Sequence, residues 1–386
     1  MLFPKNLLEK LQQRKQNHAF RELTLSKDLI DFASNDYLGF AKSESLFEQT
    51  QQFLRQNNWQ QNGATGSRLI SGHHAIFEIT EKKLADFHGF PTALLFNSGY
   101  DANVGFFGCV PQRHDIVLFD ALCHASIRDG IAQGNAKSYK FEHNDWQDLE
   151  RMILKIRATV SNSNLEIYVV TESIFSMDGD APNLLKMAEI TQKYDCKLVV
   201  DEAHAVGVFG KNGQGLCFEY GIQKAVFAQI VTFGKAVGCH GAAILGSLEL
   251  KEYLTNFARS FIYTTALPPY AIATILTAYS VFEKEAFELL NLRKNILYFN
   301  QKKANLGLKP LFVMSKSAIQ SAIIPGNENV KLIAKSLINN GFDVKAILSP
   351  TVPAGQERLR ICLHSYNTEA QINLLIQKLA SHIQLL

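Results

Sequence analysis

Short apolar runs recur along the first two-thirds of the chain: Ala93–Phe96, Ile116–Phe119, Ile167–Thr171, Lys197–Asp201, Ile230–Phe233 and Ala242–Leu245. Each is bounded by turn-forming or charged residues and is too short for a buried helix, so each predicts a strand. The stretches between them repeat at helical spacing. Residues 74–88 put Ile76, Ile79, Leu84 and Phe87 on one inward face, 145–157 carry Trp146, Leu149 and Met152 at helical spacing, and 183–193 form a further helix. Strands alternating with helices predict an α/β fold: a mostly parallel sheet with helices on both faces. Ahead of it, residues 4–18 read as an exposed amphipathic helix ending at Gln16-Asn17-His18, and Leu29–Phe32 as a short strand before the turn Ser34–Gly39. From about residue 270 the pattern changes. A long helix over about 270–290 leads into a smaller α+β region holding Val330–Asn339, Arg358–Leu363 and a terminal helix Glu369–Gln384. The expected division is an N-terminal arm and helix (1–45), a large domain (46–285) and a small C-terminal domain (286–386).

The bulk numbers narrow the classes. A chain of 386 residues exceeds what one core usually serves, in keeping with two lobes. It is 47% hydrophobic and 19% charged, ordinary for a soluble globular protein. The formal charge is only +3, and no dense Lys/Arg patch carries interleaved aromatics, so no nucleic-acid partner is expected. The apolar runs are strand-sized, so no membrane span is expected. The start, Met1-Leu2-Phe3-Pro4-Lys5, has no charged segment followed by an apolar one, which predicts a cytoplasmic protein without a secretory signal. The six cysteines form no CxxC pair and predict free thiols. His73-His74 lacks a third ligand at sensible spacing, so no metal is expected.

Against that background Lys235 stands out. Both Ile230–Phe233 and Lys197–Asp201 read as buried strands ending in polar groups, where an open α/β sheet places its ligand. One brings the lysine, in Thr232-Phe233-Gly234-Lys235, and the other the carboxylate of Asp201-Glu202-Ala203-His204. That pair suits pyridoxal phosphate (PLP), which needs a lysine for a Schiff base and an acid to keep its pyridine nitrogen protonated. A buried aspartate is costly unless paired, and a pyridinium N–H would pair it. His204 is within reach of the ring's phenolic oxygen. The plainer alternative is a strand-end aspartate capping the next helix, with a solvent-facing histidine. D-E-A-H also marks helicases, but the chain has no G-x-x-x-x-G-K-[ST] loop to hold nucleotide phosphates.

Other runs add to the set. Asn97-Ser98-Gly99-Tyr100 joins a strand to a probable helix, whose first amides would bind phosphate, and Gly99 would allow close approach. His124, in Cys123-His124-Ala125-Ser126, suits stacking on a flat cofactor, and equally suits the plain start of a helix. Ser176, in Phe175-Ser176-Met177-Asp178-Gly179, follows another strand and suits a hydrogen bond to the cofactor's oxygen; the alternative is an ordinary Asp-Gly turn. Gly63–Arg68 is glycine-rich, but no strand precedes it, so it is not a dinucleotide-binding turn. A guanidinium on the strand Arg358-Leu359-Arg360 suits a substrate carboxylate. Both arginines fall on one face, and the strand pattern does not choose between them.

Taken together these runs resemble the α-oxoamine synthases, fold-type I PLP enzymes that condense an amino acid with an acyl thioester. The resemblance extends from Ser34-Asn35-Asp36-Tyr37-Leu38-Gly39, through Gly66-Ser67-Arg68 and Tyr263-Thr264-Thr265-Ala266-Leu267-Pro268-Pro269, to Pro350-Thr351-Val352-Pro353 and Arg358-Leu359-Arg360. It implies that Lys235 forms the Schiff base and moves protons. Asp201 would pair with the pyridine nitrogen, His124 would stack on the ring, and His204 and Ser176 would contact the phenolic oxygen. Ser98, Gly99, Tyr100 and Thr232 would surround the phosphate, with Thr265 reaching it from the partner subunit of a homodimer. Asn35 and Arg360 would grip the substrate carboxylate, and Arg21 would lie near the acyl donor. The short N-terminus and the Pro350–Pro353 run favour a member joining L-alanine to a pimeloyl thioester carried on coenzyme A or acyl carrier protein. Members acting on glycine or serine share the cofactor set. An aminotransferase and a non-catalytic scaffold are the rival classes; the first would leave a pyridoxamine form, and the second would not bind the cofactor.

Overall fold

The Lys197–Asp201 strand has four of its five residues buried, with Leu198, Val199 and Val200 at 0% exposure, and it occupies the centre of a seven-stranded sheet. The computed structural model describes residues 3–17, 19–23, 28–159, 165–284 and 287–383. Across the sheet the strands run Thr92–Phe96, Ala242–Gly246, Val226–Thr232, Lys197–Asp201, Ile167–Glu172, Ile116–Asp120 and Lys137–Phe141. All neighbours pair in parallel except Ala242–Gly246, which is antiparallel to both Thr92–Phe96 and Val226–Thr232. The reason is local: the connection from Thr232 to Ala242 contains no helix, and a parallel return needs a crossover of a dozen or more residues.

The six expected strands form, each within a few residues of its predicted bounds. Lys137–Phe141 was not anticipated. It is an edge strand with four of five residues exposed, so it shows no apolar run. Helices form at Ala75–His88, Trp146–Thr159 and Leu184–Lys193. Ile79 corrects the inward set predicted for the first of these: it is exposed, because the buried arc is carried by Ile76, Phe77, Thr80, Glu81, Leu84 and their neighbours. The apolar core lies where the helix Gly99–Cys109 packs on the sheet, with Phe106, Phe107, Val199 and Ile230 at its centre. Truncating a ring as enclosed as Phe106 costs roughly 3–5 kcal/mol.

The chain divides into two compact units. One holds residues 35–176 and 181–290 and contains the seven-stranded sheet. The other holds 1–34, 177–180 and 291–386. The domain boundary expected at 285/286 lies at residues outside the described set. The second unit has a three-stranded antiparallel sheet, Lys345–Ile347, Arg358–Cys362 and Ile319–Ile323, with the helices Asn327–Asn339 and Glu369–Ile383. Its N-terminal helix, Lys5–Gln16, buries no residue, and Ile30–Asp31 pairs in parallel with Phe342–Asp343. His18 and Gln384, the predicted ends of two helices, are outside the described residues. The single helix expected over about 270–290 is described as Pro269–Lys284 and Phe287–Asn305, and residues 285–286 between them are likewise outside. No helix among the described residues is long and apolar enough to cross a membrane.

Candidate active site

Parallel strands bring their carboxyl ends to one edge, and here that edge is polar. Asp120, Glu172, Asp201 and Thr232 each end a strand of the sheet, and Glu172 and Asp201 are register partners. A cavity of about 230 Å³ opens there. Lys235, Asp201, His124, His204, Ser98, Gly99, Tyr100, Thr232 and Asn35 all line it. Residues from positions 35 to 235 are thus gathered into one pocket. Ser176 and Thr265 are not among its lining residues. Thr265 is exposed, and its carbonyl accepts from Asn97 Nδ2 at 2.7 Å.

Lys235 leaves the sheet in a tight loop. Its carbonyl accepts Gly238 N–H at 2.8 Å, and Cys239 N–H returns to Phe233 at 2.8 Å. Gly238 has φ 65° and presses on the backbone of Phe40 and Ala41, so a side chain there would push the lysine loop away. Asp201 is 5% exposed and fully engaged: Oδ2 accepts from Asn103 Nδ2 at 3.0 Å and Oδ1 from Ala203 N–H at 2.9 Å. The second bond closes a turn, and the helix that the plainer reading expected after Asp201 does not form: residues 203–208 are turns. The solvent-facing histidine of that reading is not found, because His204 is 4% exposed and its Nδ1 lies 2.8 Å from the hydroxyl of Tyr37. That hydroxyl also donates to Asn35 Oδ1 at 3.2 Å.

His124 starts the helix Ala125–Gln133. Ser126 N–H points at its Nδ1 from 3.2 Å, so Nδ1 accepts, the Ser126 hydroxyl donates to it at 2.7 Å, and the ring proton falls to Nε2. Asn103 in turn donates to Ser126 Oγ at 3.0 Å, which ties the imidazole and Asp201 to one amide group. Burial is the first cause holding His124 below the usual imidazole range; Lys235 and Arg128 add to it and Asp201 opposes it.

Ser98 caps the helix Gly99–Cys109: its Oγ accepts Asp101 N–H at 3.1 Å and donates to Asp101 Oδ2 at 2.8 Å. The amides of Gly99 and Tyr100 fall in the first turn, where backbone N–H groups have no intrahelical partner. A Cβ on Gly99 would come within 2.5 Å of Thr232 Cγ2, so only glycine lets the turn and the strand end close together. The Tyr100 side chain is exposed, and its hydroxyl donates to Asp129 at 2.8 Å, a bond that pushes the phenol's pKa up.

Arg360 and Arg21 belong to the other compact unit. Arg360 is 7% exposed on the Arg358–Cys362 strand, and Arg21 is exposed. Arg358, on the same strand, pairs with Asp178 and donates to Gln356 O at 3.0 Å.

Five cavity or near-cavity groups escaped sequence reasoning: Asn103, Ser126, Glu172, His240 and Tyr37. Asn103 carried a signal, an amide among Ala102, Phe106 and Phe107 on a helix that is otherwise apolar there. Glu172 also did, as an acid ending a fully buried strand. No group of acids, histidines and cysteines among the described residues is arranged to hold a metal, and none of the six cysteines is in a disulfide.

The fold recurs in known proteins. The pattern of the family "Aminotransferase class I and II" matches residues 27–379. An 8-amino-7-oxononanoate synthase of Emericella nidulans is 36% identical over 394 residues, covering 98% of this chain and 95% of its own. A solved serine palmitoyltransferase from S. paucimobilis, with a bound PLP–myriocin aldimine, superposes with a TM-score of 0.87 at 25% identity, covering 99% of this chain and 97% of its own. An 8-amino-7-oxononanoate synthase structure from Francisella tularensis gives 0.78 at 29% identity, covering 93% and 99%. The fold is that of the fold-type I PLP-dependent transferases. The chain belongs to the aminotransferase class I and II family, in its α-oxoamine synthase branch.

The residues present fit PLP. Thr232 Oγ1 is buried with no partner among the described residues, on the side of the cavity that Ser98 and Gly99 also line, so a phosphate oxygen would satisfy it. Asn103 Oδ1 is buried and unpartnered too, beside the carboxylate that would face the pyridine nitrogen.

Proposed function

We propose that this chain is a PLP-dependent acyltransferase that condenses L-alanine with a pimeloyl thioester, with loss of CO₂ and the thiol, to give 8-amino-7-oxononanoate for biotin synthesis. The observation that carries the reading is the shared cavity of Lys235 and Asp201, delivered by neighbouring parallel strands. The names of the relatives support the product.

When bound, PLP supplies an electron-poor ring into which the electrons of a broken Cα bond spread. Lys235 would hold the cofactor covalently, and its Nζ would take and return the α-proton. Asp201 keeps the proton on the pyridine nitrogen, and its bonds from Asn103 and Ala203 hold the carboxylate in line. His124 lays its imidazole on the ring, fixed at Nδ1 by Ser126. His204, with Ser176, bonds the phenolic oxygen, and Tyr37 braces the far side of the His204 ring. Ser98, the amides of Gly99 and Tyr100, and Thr232 hold the phosphate, with Thr265 of the second subunit of a homodimer. Asn35 and Arg360 grip the alanine carboxylate, and Arg21 meets the acyl donor, carried on coenzyme A or acyl carrier protein. The enzyme works in the cytoplasm.

A second reading, a synthase of the serine palmitoyltransferase type, is favoured by the higher TM-score of that structure, 0.87 against 0.78. One experiment separates the two. L-alanine, glycine and L-serine are offered with pimeloyl-CoA, pimeloyl-acyl carrier protein, acetyl-CoA and palmitoyl-CoA, and products are identified by mass. Turnover of alanine with a pimeloyl thioester supports the first reading. Turnover confined to serine and palmitoyl-CoA replaces it with the second.

A further inference from the structure

Glu172 ends the strand Ile167–Glu172 and lines the same cavity as Asp201, yet the chemistry above gives it no part. It is 3% exposed. Pairing sets it beside Asp201 on the adjoining parallel strand, at the spacing of about 4.8 Å that neighbouring strands keep. Its Oε1 accepts the backbone N–H of His124 at 2.6 Å.

Two carboxyls at adjoining strand ends, both withdrawn from water, do not readily ionise together. Asp201 is the better placed to carry the charge, because each of its oxygens receives an N–H. The groups that act on Glu172 are Asp201, Asp120, Lys235 and the His124 amide, with the Cys123 thiol nearby. Burial comes first and the charge of Asp201 second. Together they push Glu172 well above the usual carboxylate range, against the pull of the His124 amide and Lys235. His124 is then held at two points, its backbone by Glu172 and its ring by Ser126.

We propose, building on the PLP reading above, that Glu172 is a positioning residue. Its buried carboxyl, as a neutral hydrogen-bonding group, fixes the His124 backbone and with it the stance of the imidazole against the cofactor, and leaves the negative charge to Asp201. The test uses the full chain, stripped of cofactor and titrated with PLP, as wild type, Glu172→Gln and Glu172→Ala. Two quantities are read: the dissociation constant, and the pH midpoint of the bound cofactor's absorbance between about pH 5 and 9.

Glutamine keeps an oxygen for the His124 amide, so affinity within about twofold of wild type and an unmoved midpoint are expected. Alanine leaves that amide without its acceptor, and a loss of about tenfold is expected. A midpoint moved by about one pH unit in Glu172→Gln would show that Glu172 works as an anion and overturn the proposal. Wild-type affinity in Glu172→Ala would overturn it as well. If circular dichroism shows that the alanine variant does not fold, the glutamine midpoint decides alone. A wild-type chain that takes up no PLP would instead overturn the functional reading.

Discussion

Asn103 Nδ2 donates to Asp201 Oδ2 at 3.0 Å, joining the helix Gly99–Cys109 to the end of the central strand inside a desolvated pocket. The bond aims the carboxylate without neutralising it, and only a full charge would keep a pyridine nitrogen protonated. Asp201→Asn is therefore expected to retain PLP and to lose more than about tenfold in α-deuterium exchange from L-alanine, a barrier increase above ~1.4 kcal/mol. The exchange is followed by NMR. A rate within about threefold of wild type would remove Asp201 from that role.

Lys235 lies in the loop braced by Gly238 and Cys239, facing the same cavity. Lys235→Ala is expected to fold and to bind PLP without a covalent link, and turnover should fall by about 10²–10⁴-fold from lost proton transfer alone. Borohydride reduction and peptide mapping of the wild type check the assignment. A label on any other lysine contradicts it.

Thr232 Oγ1 has no partner among the described residues, and Gly99 abuts the same side chain. Thr232→Val keeps the shape and removes the hydroxyl. A hydrogen bond to a charged group contributes about 1.5–3 kcal/mol, so PLP affinity should drop roughly 10- to 100-fold. Pyridoxal, which lacks the phosphate, should bind both proteins equally. Equal losses for both ligands would place the phosphate elsewhere.

His88 is fully buried between Gln214 and Tyr279, with Nδ1 3.0 Å from the Gln214 carbonyl and Nε2 3.0 Å from the Tyr279 hydroxyl. Burial lowers it from 6.5 to about 4. A depressed imidazole favours the native state fully above the unfolded value, and that contribution is lost as pH falls from about 6.5 to about 4, to a total of roughly 3 kcal/mol. Glu202, pushed up to about 7 by burial, acts in the opposite direction over an overlapping range, so the wild-type profile mixes both. Urea unfolding of wild type and His88→Gln at pH 4.5, 5.5 and 7 isolates the histidine. The variant should lose less stability on acidification, and parallel profiles would refute the assignment.

The local part of this architecture was legible from pattern alone. Apolar runs of strand length and helical spacing predicted six of the seven strands of the large sheet, and Asp201 and Lys235 were readable as strand-end groups. Those signals are carried by residues next to one another, and burial of one face enforces them. Features that depend on pairing at a distance were not readable. Lys137–Phe141 is a strand only because Ile116–Asp120 offers it an edge. Glu172 meets Asp201 only through strand register, and Tyr37 meets His204 across 167 residues of chain. Arg358 and Arg360 alternate identically along their strand, and Asp178, brought in from 180 residues away, is what engages the first. Residue order alone settles which elements form and which side chains bear the chemistry, because backbone periodicity is a near-neighbour property. Which buried polar groups satisfy one another is settled by the folded chain, because that depends on sheet order and register, and no local window contains either.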